Sequence, residues 1–205
     1  MINEPIDISS KPIKLFLDTV DQVLNSNTFL LPFEVKADNI DEALLGFIAS
    51  ESFIHQLASQ DKEREWFNLH YFDHKTGNYK LKNGNILKSE IDLKIKEIVV
   101  DKSDYLIAML TGDTSKGRFF SYYSKEISLE KAKVIVDNLI SFLTTYDKYS
   151  EWKLFFVEPD FLKDTVERYS KNEELTYFNG GFGNDTATVI LTNNKGFLLL
   201  TNGID

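Results

Sequence analysis

The chain has 205 residues, no cysteine and a formal net charge of −9. The missing cysteine removes disulfides, thiol nucleophiles, thiolate zinc sites and iron–sulfur clusters together. With 42% hydrophobic and 13% aromatic residues the sequence is globular and long enough to bury a sizeable core, and no apolar run reaches the ~20 residues that span a bilayer.

Residues 1–5 (Met-Ile-Asn-Glu-Pro) lack a basic segment followed by an apolar one, so no secretory signal is expected and a cytoplasmic location is. Residues 12–24 predict an amphipathic helix. Ile13, Phe16, Leu17, Val20 and Leu24 recur at helical spacing, and Pro12 suits the first turn. Residues 28–35 predict a short strand, which Pro32 places at a sheet edge because it offers no N–H to a neighbour. Residues 39–59 predict one long helix. Asn39 and Glu42 have the spacing of a capping box, and Ile40, Leu44, Phe47, Ile54 and Leu57 form its buried face. Residues 61–65 then predict a charged linker.

Residues 66–123 predict a run of β-strands. Trp66, Leu69, Tyr71 and Phe72 begin it, and Asp73-His74-Lys75-Thr76-Gly77-Asn78 supplies a hairpin loop. Tyr79 and Leu81 alternate with lysines, and Asn83-Gly84 marks a second hairpin turn. Ile91, Leu93 and Ile95 alternate with charged residues, as on a half-buried strand. The apolar run 105–110 predicts a central strand covered on both faces, and 118–123 a returning one. Short connections favour an antiparallel meander.

Ser128 is a suitable N-cap for a helix carrying Ala132, Ile135, Val136, Leu139, Phe142, Leu143 and Tyr146. Residues 152–157 predict a strand, Pro159 a fourth helix with Phe161, Leu162, Val166 and Tyr169, and 175–178 another strand. Residues 186–192 and 197–201 predict a terminal hairpin. The expected fold is therefore α+β: a mainly antiparallel sheet, made of the 66–123 meander plus the C-terminal hairpin, packed against about four helices. One domain over 1–205 is expected, with a candidate internal boundary at 125–128.

The motifs that carry chemistry thin out on inspection. Gly180-Gly181-Phe182-Gly183-Asn184-Asp185 matches the core of a calcium-binding β-roll repeat, but that chemistry needs tandem copies and there is one. Gly112 and Gly117 have P-loop spacing, yet Arg118 and Phe119 stand where Lys and Ser or Thr must reach phosphate and magnesium. His70, Asp73 and His74 put three metal-capable residues within five positions. A catalytic metal needs at least three ligands with supporting partners, so a polar turn explains them more simply. A small enzyme built on these three residues is the alternative from another class, and a homodimeric or peptide-binding module is a third. No cofactor or metal is expected.

Residues 1–65 hold 12 acids and 5 bases, a balance of −7, so the remainder carries −2. Nucleic-acid binding needs a basic footprint, and none is present. Asp41, Glu42, Glu51, Asp61, Glu63 and Glu65 are the candidate acidic recognition face. Tyr122, Tyr123 and Tyr149 are further interface candidates.

In its size, acidity, cysteine-free composition and α+β layout the whole chain resembles the immunity proteins of bacterial polymorphic toxin and contact-dependent inhibition systems. Residues 178–201, with a glycine-rich turn before a hairpin, resemble the fungal and bacterial cell-wall-regulator and immunity superfamily. The first resemblance implies a cytoplasmic protein that binds one cognate toxin and covers its active site. A basic toxin domain is then the expected partner, because an acidic protein is steered toward it.

Overall fold

The computed structural model of the chain describes residues 7–35, 39–66, 70–81, 93–99, 101–113, 127–144, 151–158, 186–192 and 195–203. Its central feature is the pairing of β1 (Ser26–Glu34) with β7 (Lys195–Gly203), antiparallel and in register from Ser26 opposite Gly203 to Glu34 opposite Lys195. β7 also pairs with β6 (Thr186–Thr192), β6 with β5 (Lys153–Val157), and β5 with β4 (Ile95–Glu97), all antiparallel. The sheet order is β1-β7-β6-β5-β4. β1 is thus an edge strand, as Pro32 predicted. The terminal hairpin is present as read.

Side chains alternate across this sheet and feed two cores. Leu30, Leu199, Ile190, Phe197 and Leu154 pack with α1 (Lys11–Leu24), α4 (Lys102–Thr111) and α5 (Leu129–Leu143). Phe29, Leu31, Leu198, Leu200, Val189 and Phe155 pack with α2 (Ile40–Ile48) and α3 (Glu51–Glu63) on the opposite face. The fold is α+β, an antiparallel sheet with helices on both sides. Double coverage explains why β1 and β7 read as near-continuous apolar runs.

The predicted α1 is confirmed, with Ile13, Phe16, Leu17, Val20 and Leu24 all buried. α5 is capped by Ser128, whose hydroxyl accepts the Lys131 N–H. It packs on α1 and α4 through Ala132, Ile135, Val136, Leu139 and Leu143. Leu139 has no exposure. Leu139→Ala is expected to lower stability by about 2–5 kcal/mol in a urea titration, the usual range for emptying a tightly packed leucine site. A loss under about 1 kcal/mol would mean that α5 is not part of a packed core.

Several expectations are corrected. Among the described residues the meander does not form one sheet. β2 (His70–Asp73) and β3 (Asn78–Leu81) are a hairpin in a separate two-stranded sheet, and β4 joins the main sheet through β5 rather than through its sequence neighbours. The apolar run 105–110 is not a strand but the interior of α4, buried on every side among α1, α5 and the sheet. A short apolar run that is covered all round reads alike as central strand or buried helix. The signals that decide it lie outside the run. Asp101 precedes α4 in a left-handed conformation, and Gly112 ends it at φ 67°, where glycine costs little. The N–H groups of Gly112 and Asp113 both bond the Ala108 carbonyl.

The single helix predicted for 39–59 is two. It breaks at Ala49-Ser50, where the Ser50 N–H and hydroxyl both donate to the Phe47 carbonyl. α3 buries Phe53 and Leu57, a shift in phase from the expected Ile54 and Leu57. α3 also runs to Glu63, so most of the expected 61–65 linker is helix. The expected strands at 118–123 and 175–178, the fourth helix, the glycine-rich stretch 180–185, the Asn83-Gly84 turn and Tyr122, Tyr123 and Tyr149 lie outside the described residues.

Candidate functional site

The site is built along the free edge of β1. An unpaired edge presents N–H and C=O groups that must find partners. α3 supplies them with glutamines. The Gln60 amide accepts from the Leu30 N–H at 3.2 Å and donates to the Leu30 carbonyl at 2.8 Å. One turn earlier, Gln56 donates to the Pro32 carbonyl at 3.1 Å. The match is geometric. Four residues of helix rise ~6 Å and two residues of strand rise ~6.7 Å, so the pair keeps step with alternate strand residues. Pro32 has no N–H, and the Gln56 Oε1 is left buried without a hydrogen-bond partner.

Just past this point the edge opens into a cleft of about 650 Å³ between the end of β1, α2 and the start of α3. Phe33 and Phe47 stack at its base, with ring centroids 5.2 Å apart and planes 11° from parallel. Glu34 and Glu42 bring two exposed carboxylates to it, and Lys195, opposite Glu34 in the strand register, brings one ammonium. Asn39 fixes the position of Glu42 by accepting its backbone N–H at 3.2 Å, half of the predicted capping box. Gly46 lies exposed in the last turn of α2 and lines the same cleft. A Cβ placed there would meet nothing within 4 Å.

A second cleft, of about 450 Å³, lies at the other end of α3, where Lys14, Asp18, Glu63, Arg64, Glu65 and Trp66 meet. Arg64 lies 4.6 Å above the Trp66 ring. It bonds Asp18 at 3.0 Å and also pairs with Asp21. Since α1 and α3 cover opposite faces of the sheet, this guanidinium clamps the two layers around the β1 edge. Burial pushes the Asp21 carboxyl up to about 7, while Arg64 and Thr28 pull the other way.

Five of the six candidate acids are exposed. Asp41 and Glu42 lie in the first turn of α2, Glu51 starts α3, and Glu63 and Glu65 stand at its far end. Asp61 does not join them, because it lies on the inner face of α3 and is fully buried. Glu51 and Glu63 are separated by roughly 18 Å of helix, so the acids make two groups, one beside each cleft. Glu34, Gly46 and Gln56 were not singled out from the sequence. The signal that points to them is a lone glycine inside an otherwise regular helical pattern.

His70 and Asp73 stand at the two ends of β2, and His74 lies in the exposed turn beyond it. Among the described residues, no group of three or more His, Asp or Glu is arranged to hold a metal ion, and no helix is long and apolar enough to cross a membrane. Comparison with family models, with curated proteins and with solved structures finds no match to this chain.

Proposed function

We propose that this chain is a non-catalytic binding protein that masks the working surface of a basic protein domain, in the way that an immunity protein covers a toxin, and that it does so in the cytoplasm. The observation that carries this reading is the outward display of Asp41, Glu42, Glu51, Glu63 and Glu65 on the α2–α3 layer. These residues span a patch about as long as α3, roughly 20 Å, which suits one face of a standard protein interface. A nuclease-like toxin must be basic to hold nucleic acid, so an acidic layer of this kind is steered to the surface that needs covering.

The test takes as partner the protein encoded immediately upstream of this chain. Association should slow as salt rises, because steering is screened beyond ~8 Å at physiological ionic strength. Glu51→Lys, Glu63→Lys and Glu65→Lys together should lower the on-rate by about tenfold or more and raise the off-rate far less. Asp61 is left out of that set, because reversing a buried residue tests folding and not docking. Failure to form a complex, or a complex indifferent to both salt and the triple reversal, overturns the reading.

A further inference from the structure

We infer that the polar side chains of α1 and α3 along β1 form a guard, which keeps this edge of the sheet from pairing with β1 of a second copy of the chain. The inference stands apart from the docking role proposed above, and its failure leaves that role untouched.

Among the described residues, β1 is the longer of the two sheet margins, nine residues against three in β4. A long apolar edge is a template for another strand, and proteins blunt such edges with charge, proline or a cover. β1 has one proline and no charged residue before Glu34. The cover therefore carries most of the protection. The outward groups belong to alternate residues, Thr28, Leu30 and Pro32, and each is met by a side chain. Gln60 holds both groups of Leu30, Gln56 donates to the Pro32 carbonyl, and the Asp21 carboxyl accepts the Thr28 backbone N–H. Arg64 pairs with Asp21, so the contributions of α1 and α3 are tied together. Without that tie α3 is lightly held. It buries two large apolar side chains, Phe53 and Leu57, where α1 buries six. Elements with few buried apolar contacts open first.

A second copy fits this edge because the edge is complementary to itself. Two antiparallel β1 strands centred on Leu30 would exchange the same N–H and C=O groups that Gln60 now holds. Thr28 of each copy then falls opposite Pro32 of the other. The Thr28 N–H meets the carbonyl that Gln56 now serves, and proline's missing N–H loses a single bond. Phe29 falls opposite Leu31, apolar against apolar. The contact is isologous, so it closes at a dimer.

The experiment is sedimentation equilibrium on the full chain, joined to a spin-label distance. The native protein should be monomeric. Gln60→Ala should dimerise at least roughly a hundredfold more tightly, since two stranded backbone groups regain partners in each copy. The chain has no cysteine, so Glu34→Cys, at an exposed position, takes one nitroxide. In the expected register the two labelled positions lie about 27 Å apart, four residues on either side of Leu30. Leu139→Ala weakens the opposite core without touching the edge and should stay monomeric. Gln56→Ala bares one carbonyl only and should dimerise in the same register more weakly, which keeps the test in force if Gln60→Ala does not fold. A native dimer, a folded Gln60→Ala or Gln56→Ala chain that stays monomeric, equal association of Leu139→Ala, or a label distance far from about 27 Å overturns the guard.

Discussion

Gln60→Leu is expected to destabilise the protein by about 2–5 kcal/mol, because it strands two backbone groups at once. Gln60 is almost fully buried, and both ends of its amide are committed to Leu30, itself 1% exposed. Removing one partner of a buried hydrogen bond leaves the other to bear its full desolvation penalty, about 1–3 kcal/mol for each group. Leucine matches the volume of the replaced side chain closely enough that packing is not the main loss. Gln56→Leu breaks one bond where Gln60→Leu breaks two, and it relieves an acceptor that is already orphaned. It should therefore cost much less. Urea titrations of the two variants decide the point. Equal losses would show that the glutamines act as packing and not as substitutes for a neighbouring strand.

Asp21→Asn is expected to remove a pH dependence that the native protein carries. The Asp21 carboxyl has its folded value pushed up to about 7, first by burial and against the pull of Arg64. The native state therefore holds this proton more tightly than the unfolded chain does. Its stabilising contribution is complete below the ordinary value of 3.8, falls as pH rises, and is lost once pH passes about 7. Asparagine does not titrate. Relative to the native protein, the variant should gain roughly 2–3 kcal/mol of stability between pH 5 and pH 8. A difference between the two proteins that stays constant over this range would show that Asp21 remains ionised throughout, with Arg64 outweighing burial.

The sequence exposed the elements whose periodicity is unbroken and whose ends carry chemical signals. α1, α5 and the terminal hairpin are of this kind, with Pro12 and Ser128 marking the two helices and the Asn193-Asn194-Lys195-Gly196 run the turn between the two strands. α4 escaped because Tyr105 to Leu110 carry no polar face at all, and periodicity has nothing to measure in a segment covered on every side. The sheet order escaped for another reason. β4 pairs with a strand that follows two helices, and short-range turn signals hold no information about so distant a partner. Of the candidate site, the exposed acids were legible from composition. The cleft was not, because it joins residues from β1, α2, α3 and β7 that lie more than 150 positions apart, from Pro32 to Lys195.

The two tryptophans of the chain fall on opposite sides of the sheet. Trp66 meets Phe29 edge-on at 5.0 Å and lies beneath Arg64, at the margin of the α2–α3 layer. Trp152 lies 4.8 Å from the Lys102 ammonium, at the margin of the α1–α4–α5 layer. Each indole is thus a private fluorophore for one hydrophobic core. Replacing either with phenylalanine leaves an emission signal that reports on a single layer, so the cooperativity between the two halves of this sandwich can be read optically, without any added label.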